Sequence, residues 1–290
     1  MRLAVYLGIL LALALHPSDV NAQQVDTSAF PRVSIPETEV RYLRSSIVGD
    51  EFEISVALPT NYRSTNTTYP VLYAPDANVG FAMSTQIERI MQIGNELPQV
   101  IGVGIGYRTD SLGKWLELRS RDLTPTSIPD PTKNGWRTGG AAQFLRFMRE
   151  ELMPFIKKNY RTSPDAAYYG DSYGGLFGLY VLFHQPDTFG RYIIASPSIW
   201  YDNLVTLQYE ADYATRHTDL SARVFMSVGE LEEQAGDAER MVTNMKQLAN
   251  KLLSRRYPSF RLQTVVFDGE THVSVCAAAF SRGLQVIYQK

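Results

Sequence analysis

Cysteine is almost missing: Cys276 stands alone among 290 residues, so no internal disulfide can form, an option that an exported chain would otherwise have. Its expected role is that of a small buried apolar side chain on the last helix. Basic blocks are missing too. The 28 Lys and Arg residues are scattered against 30 Asp and Glu, for a formal net charge of −2, and without a Lys/Arg-rich run the chain lacks the electrostatic footprint of a nucleic-acid binder. The apolar run at residues 3–15 falls short of the ~20 residues that span a bilayer. Arg2 precedes it, His16-Pro17 breaks it and Val20-Asn21-Ala22 follows, which is the pattern of a signal peptide cleaved after Ala22. Residues 1–22 are therefore expected to be a leader and residues 23–290 one exported domain, periplasmic or secreted and without a membrane span. No cysteine near Ala22 is available for a lipid anchor. Gly102-Val103-Gly104-Ile105-Gly106 lacks the third glycine of a dinucleotide fingerprint, and no His, Cys and carboxylate cluster has metal-ligand spacing. No metal or organic cofactor is expected; those glycines are expected to let neighbouring chain pack against a strand.

What is present is an ordinary core composition, 44% hydrophobic and 20% charged, in an alternation of short β-rich runs and longer helical ones that signals an α/β sheet. Residues 52–58 alternate Phe52, Ile54, Val56 and Leu58 at period two. Residues 69–74 and 99–107 are near-continuous apolar runs, as expected of central parallel strands covered on both faces. Further strands are expected at 166–170, 191–195, 222–228 and 260–267. Helical spacing appears in 141–160, through Leu145, Met148, Leu152 and Phe155 with a kink at Pro154, and again in Met241, Met245, Leu248 and Leu252. Residues 110–139 are polar, rich in proline and without period, and are expected to be a long functional loop.

Gly170-Asp171-Ser172-Tyr173-Gly174 matches G-x-S-x-G and lies between a strand and an apolar helix, the setting of a nucleophile elbow. A turn that sharp strains the serine backbone and leaves no room for side chains at the glycines. The Ser172 hydroxyl needs a neighbouring base, and removal of the leader leaves His184, His217 and His272. His184 sits along the helix after Ser172, and His217 lies in a polar stretch. His272 alone comes late enough for the chain order serine, acid, histidine. The acid is expected in Gly229-Glu230-Leu231-Glu232-Glu233: Glu232 first and Glu230 second, with Glu233 and Asp237 solvated and Asp237 a helix cap. Donors for an oxyanion are expected from the backbone N–H of Tyr173 and that of Asn78, with Ala77 close behind. Trp200 and Tyr201 are candidates for an aromatic substrate wall, with ordinary packing the alternative. Arg119 and Arg121 are candidates to meet an anionic or carbonyl-rich substrate, with a surface role the plainer reading of both.

With these residues in view, the chain resembles the putative esterase family of α/β-hydrolases, particularly its periplasmic enterobactin-esterase-like trilactone hydrolases. YPVLYAPDAN, VIGVGIGY, RSRDLTP, GGAAQFLRFMREELMPFI, GDSYGGLFGLY, SPSIW, SVGELEE and DGETHVSV carry the likeness from about residue 38 onward. The resemblance implies a single-domain α/β-hydrolase fold and ester hydrolysis through a serine acyl-enzyme, without cofactor and on a small-molecule ester. It implies Ser172 as nucleophile, His272 as base, Asn78 and Tyr173 as oxyanion donors, and an acid in SVGELEE, some such hydrolases working as a Ser–His dyad. Two departures are Asp171, where histidine is common, and Asp-Ala-Asn, where Asp-Gly is usual. Alternatives are a feruloyl or acetyl-sugar esterase, an acyltransferase, or a binding protein of the same fold that has lost its chemistry.

Overall fold

A computed structural model of the chain describes residues 33–128, 136–234 and 240–289. The expected leader at residues 1–22 and the helix cap at Asp237 lie outside them. Eight strands form one sheet: β1 (Thr38–Arg44), β2 (Glu51–Ala57), β3 (Tyr69–Ala74), β4 (Ile101–Tyr107), β5 (Thr162–Asp171), β6 (Arg191–Ala195), β7 (Ala222–Gly229) and β8 (Phe260–Phe267). Their spatial order is β1-β2-β4-β3-β5-β6-β7-β8. The β1–β2 and β2–β4 pairs are antiparallel, and all the others are parallel. Helices link the strands: α1 (Ala77–Ile93), α2 (Leu112–Leu123), α3 (Ala141–Phe147), α4 (Met153–Asn159), α5 (Tyr173–His184), α6 (Tyr201–Arg216), α7 (Met241–Ser254) and α8 (Cys276–Tyr288). Together they form one unit, Ile35–Lys290.

The period-two alternation of the central strands divides the core. Val71 and Tyr73, Tyr168, Ile194, Val224 and Met226 face a large apolar cluster under α2 to α7. Their neighbours Leu72, Ala167, Tyr169, Ile193, Ala195 and Phe225 face a smaller one with Met91 of α1 and Phe280, Leu284 and Ile287 of α8. Covered on both faces, the strands read as continuous apolar runs. Because β3 to β8 are parallel, their carboxyl ends share one edge, and Asp76, Ser172, Glu232 and His272 all follow those ends. Ligand sites of open α/β sheets form at such an edge.

One expectation needs correction, one is refined and one strand is added. Residues 110–139 contain helix α2, whose period is hidden because its buried residues are Arg119, Ser120, Asp122 and Leu123, of which the charged Arg119 and Asp122 form ion pairs and only Leu123 is apolar. The helical stretch before Asn159 is interrupted by a π-helical turn at Met148–Leu152, ahead of Pro154. The wider turn accommodates a proline that cannot donate and whose ring crowds the carbonyl four residues earlier. The strand β1 went unanticipated because it is an edge strand with a largely exposed pattern.

Glu88 of α1 is buried at 5% exposure. Burial pushes its carboxyl up to about 8, with Arg89 pulling the other way. A raised folded-state value means stability is full below the unfolded value of 4.5 and is lost as pH rises towards 8. Glu88→Gln is therefore expected to melt together with the wild type near about pH 4 and several degrees higher above about pH 8, on the order of a few kcal/mol. Equal melting temperatures at alkaline pH would contradict this.

Candidate active site

Ser172 joins β5 to α5 with φ 60 and ψ −119, backbone angles that an L-residue holds only under constraint. The end of β6 supplies it: the Ser172 N–H donates to Ala195 O at 3.1 Å, and Ser172 O accepts from Leu176 N at 3.0 Å and Ser198 N at 3.3 Å. The glycine requirement is visible at Gly170, where a Cβ would lie 2.3 Å from Gly174 O. Tyr168 Oη donates to that same carbonyl at 2.7 Å, fixing the first turn of α5.

Glu232 lies in a 3₁₀ turn, Glu230–Glu233, directly after β7. Its side chain is 1% exposed, and its Oε2 is 2.6 Å from His272 Nδ1. Its Oε1 accepts from Ser196 Oγ at 2.7 Å and from Gly229 N at 2.6 Å. Burial alone would raise this carboxyl, but hydrogen bonds from His272, Ser196 and Gly229 outweigh it and hold the group below the usual range. An ionised carboxylate can only accept, so Nδ1 carries a proton in this pair. His272 follows β8 in a loop tied to the Glu232 turn, since Leu231 N donates to Glu270 O at 3.0 Å and Gly269 N to Glu230 Oε2 at 3.1 Å. Glu230 thus fastens the two loops, and Glu233 accepts from Thr243 N at 2.9 Å at the start of α7. His184 and His217 lie elsewhere, each bonded through Nδ1 to a tyrosine carbonyl one turn earlier.

Asp76, Ala77 and Asn78 form the entry to α1. Asp76 has φ 59, and its carboxylate, instead of capping the helix, accepts two bonds of 2.8 Å from Arg119 Nε and Nη2. Asn78 spends its side chain on the end of β4: Nδ2 donates to Tyr107 O at 2.7 Å, and Oδ1 accepts from Tyr107 N at 2.8 Å. The glycines of β4 permit this approach, since a Cβ on Gly104 would come within 2.8 Å of Ala77 Cβ. The N–H groups of Asn78 and Tyr173 each belong to the first turn of a helix, where amides point out along the axis with the positive end of the dipole.

Neither candidate arginine is a surface residue. Arg119 is 8% exposed, and its guanidinium lies 5.2 Å from the Trp115 ring centroid and 5.4 Å from that of Tyr173. Burial alone would weaken its charge, but the Asp76 carboxylate more than compensates and keeps it cationic. Arg121 pairs with Asp122 and Asp50, away from Tyr173. Trp200 and Tyr201 bracket the Tyr173 ring at 6.3 and 5.9 Å, and Tyr201 Oη donates to Thr126 O at 2.7 Å. A groove of about 820 Å³ borders the entry to α1, lined by Ala77, Asn78, Tyr107, Trp115, Arg108 and Tyr42 among others. Sequence reasoning passed over two contributors, the Ser196 hydroxyl on Glu232 and the Asp76–Arg119 pair. The only signals were their places directly after β6 and β3. Among the described residues no group of three or more His, Cys, Asp or Glu side chains is placed to hold a metal ion.

The family model Putative esterase matches residues 45–273. The ferri-bacillibactin esterase BesA of Bacillus subtilis is 34% identical over 265 residues, covering 87% of this chain and 90% of the relative. A siderophore triacetylfusarinine C esterase of Aspergillus fumigatus is 30% identical over 284 residues, covering 89% and 95%. Among solved structures, the siderophore hydrolase EstB from Aspergillus nidulans superposes with a TM-score of 0.77 at 27% identity, covering 89% of this chain and 97% of that one. The strand order, the serine elbow and the match across most of the chain agree: this protein is a serine esterase of the α/β-hydrolase fold, a member of the Putative esterase family.

Proposed function

We propose that this esterase hydrolyses the lactone bonds of a siderophore, with Ser172 as nucleophile, His272 as general base and acid, and Glu232 as the carboxylate that orients and stabilises the imidazole. The observation that carries the reading is the 2.6 Å contact between the buried Glu232 carboxylate and His272 Nδ1, on loops that share a sheet edge with the strained Ser172. His272 Nε2 takes the Ser172 proton as Oγ bonds to the ester carbonyl carbon. The oxyanion is met by the N–H groups of Tyr173 and Asn78, each worth about 3–4 kcal/mol. Collapse of this intermediate breaks the ester C–O bond, and His272 returns the proton to the departing alcohol. Water then repeats the sequence on the acyl-enzyme. In a cyclic ester the departing alcohol stays tethered, so the first acyl-enzyme retains the whole ring-opened molecule. The names of the relatives and the nearby groove support a siderophore as the substrate. The leader-like segment at residues 1–22 supports an exported enzyme, and no helix among the described residues is long and apolar enough to cross a membrane.

Trp200 and Tyr201 would wall the site beside Tyr173. Arg119 would act on the reaction by bracketing the two oxyanion segments, holding Asp76 while lying against Tyr173. Lysine has one point charge and no planar fork. Arg119→Lys is therefore expected to lose about 10–100-fold in kcat/KM through misplaced donors, whereas a kcat/KM within about twofold of wild type would remove Arg119 from this role. The test of the substrate is a panel of a triscatecholate trilactone, a feruloylated sugar, an acetylated sugar and short-chain nitrophenyl esters, with products identified by mass. Preferred cleavage of the trilactone supports the proposal. A preference for either sugar ester would move the enzyme to that substrate class, and transfer to an added alcohol in place of water would make it an acyltransferase.

A further inference from the structure

Asp171 has no part in the steps above, yet it immediately precedes the nucleophile. Its Oδ1 is sealed from solvent and has no hydrogen-bond partner among the described residues, a condition that disfavours a charged carboxylate. Across from it stands Cys276, at the start of α8. The Asp171 carboxyl acts on this thiol electrostatically, and the thiol donates to the backbone carbonyl of His272 at 3.7 Å. One thiol therefore stands between the strand that delivers the nucleophile and the residue that carries the base.

Hydrogen-bond capacity gives this arrangement a direction. A neutral carboxylic acid has an O–H to donate, and sulfur is a weak acceptor, so Asp171 can donate to Sγ while the thiol passes its own hydrogen to His272 O. An ionised carboxylate only accepts, and competes with His272 O for that one hydrogen. We propose that Asp171 is a positioning residue: as a neutral acid it holds Cys276, and through Cys276 it fixes the His272 loop against the nucleophile elbow, and its ionisation breaks the chain and slows turnover.

The surrounding charges are consistent with this. Burial pushes the Asp171 carboxyl up to about 7, His272 and Arg119 act against the rise, and Glu232 and Asp76 add to it. These groups face it from the loop after β8, α2, the turn after β7 and the entry to α1, with Tyr169 on its own strand. Burial first, and then the Asp171 charge, push the Cys276 thiol up to about 12, so it keeps its hydrogen at any ordinary pH. An anion at Asp171 would also oppose the negative charge developing one residue away.

This inference rests on the Ser172–His272 reading, and its test separates the two. The kcat of wild type, Asp171→Asn and Cys276→Ala on a short-chain nitrophenyl ester would be followed from about pH 5.5 to about pH 9.5. Asparagine donates without ionising. The wild type is expected to fall roughly tenfold across an ionisation near neutrality, while Asp171→Asn shows no such fall. Cys276→Ala is expected to lower kcat several-fold and flatten the fall, with KM within about twofold of wild type. Because the chain has a single cysteine, the infrared S–H stretching band reports Cys276 without any variant. It should move to lower frequency over the same pH range, as the thiol turns to an ionised acceptor. Superimposable wild-type and Asp171→Asn profiles, or an S–H band that does not move with pH, would overturn the proposal. Undiminished turnover by Ser172→Ala would instead overturn the esterase assignment of Ser172, a different result from parallel profiles of two active proteins.

Discussion

Ser172→Ala is expected to lose about 10⁵–10⁶ in kcat on any ester the wild type cleaves, the scale of losing a nucleophile that works as part of a unit. The residual rate would come from the oxyanion donors and from substrate binding, which the substitution leaves in place. The fold should not change. The elbow is held through the Ser172 backbone, by Ala195, Leu176 and Ser198, and alanine retains each of those groups. The melting temperature should therefore stay within a few degrees while turnover disappears. A loss of activity accompanied by a collapse in stability would not identify Ser172 as the nucleophile, and the phenotype would then be one of folding.

Glu232→Gln should cost about 10³–10⁴ in kcat, with little change in KM. Glutamine has nearly the shape of glutamate but carries an amide donor, which can press His272 into the tautomer with its proton on Nε2. That form cannot accept from Ser172. It also leaves the imidazolium of the transition state without its anionic partner. Glu232→Ala would go further, stranding the Ser196 hydroxyl and the Gly229 N–H that now point at Oε1, at about 1–3 kcal/mol for each buried group left unsatisfied. The sign of the acid response follows from the lowered Glu232 value. Its contribution to stability is present above the unfolded value of 4.5 and is lost as pH falls through the lower folded-state value. A Glu232→Gln enzyme within about tenfold of wild type would make the site a Ser–His dyad, with Glu232 serving the two loops rather than the chemistry.

Much of the scaffold was legible because its central strands are buried on both faces. Residues 69–74, 191–195 and 260–267 are strands with the bounds expected from their apolar runs, and the fold class follows from the alternation of strand and helix. Elements whose period is not apolar were hidden. Helix α2 buries Arg119 and Asp122, so its inner face reads as polar sequence, and ion pairs such as Asp76–Arg119 join residues far apart in the chain. Helices α1 and α6 were likewise unanticipated. The entry to α1 was expected as loop, and α6 holds a left-handed stretch at Asp202, Asn203 and Leu204. In the site, chain order and placement after a strand selected Ser172, Glu232 and His272, since each rests on local sequence. The contact between Glu232 and His272, the support from Ser196, and the Asp171–Cys276 approach depend on how separate loops meet. Cys276 shows the limit well: expected as a plain core residue, it is partly exposed and bonded to the backbone of His272.

The most direct test of the account is intact-mass and peptide analysis of the wild-type enzyme, acid-quenched at short times during turnover of a cyclic trilactone. A serine acyl-enzyme formed on a ring predicts an adduct with the mass of the entire lactone, borne by the peptide that contains Ser172 and absent from Ser172→Ala. An adduct on another residue, or trilactone cleavage that continues in Ser172→Ala, would contradict it.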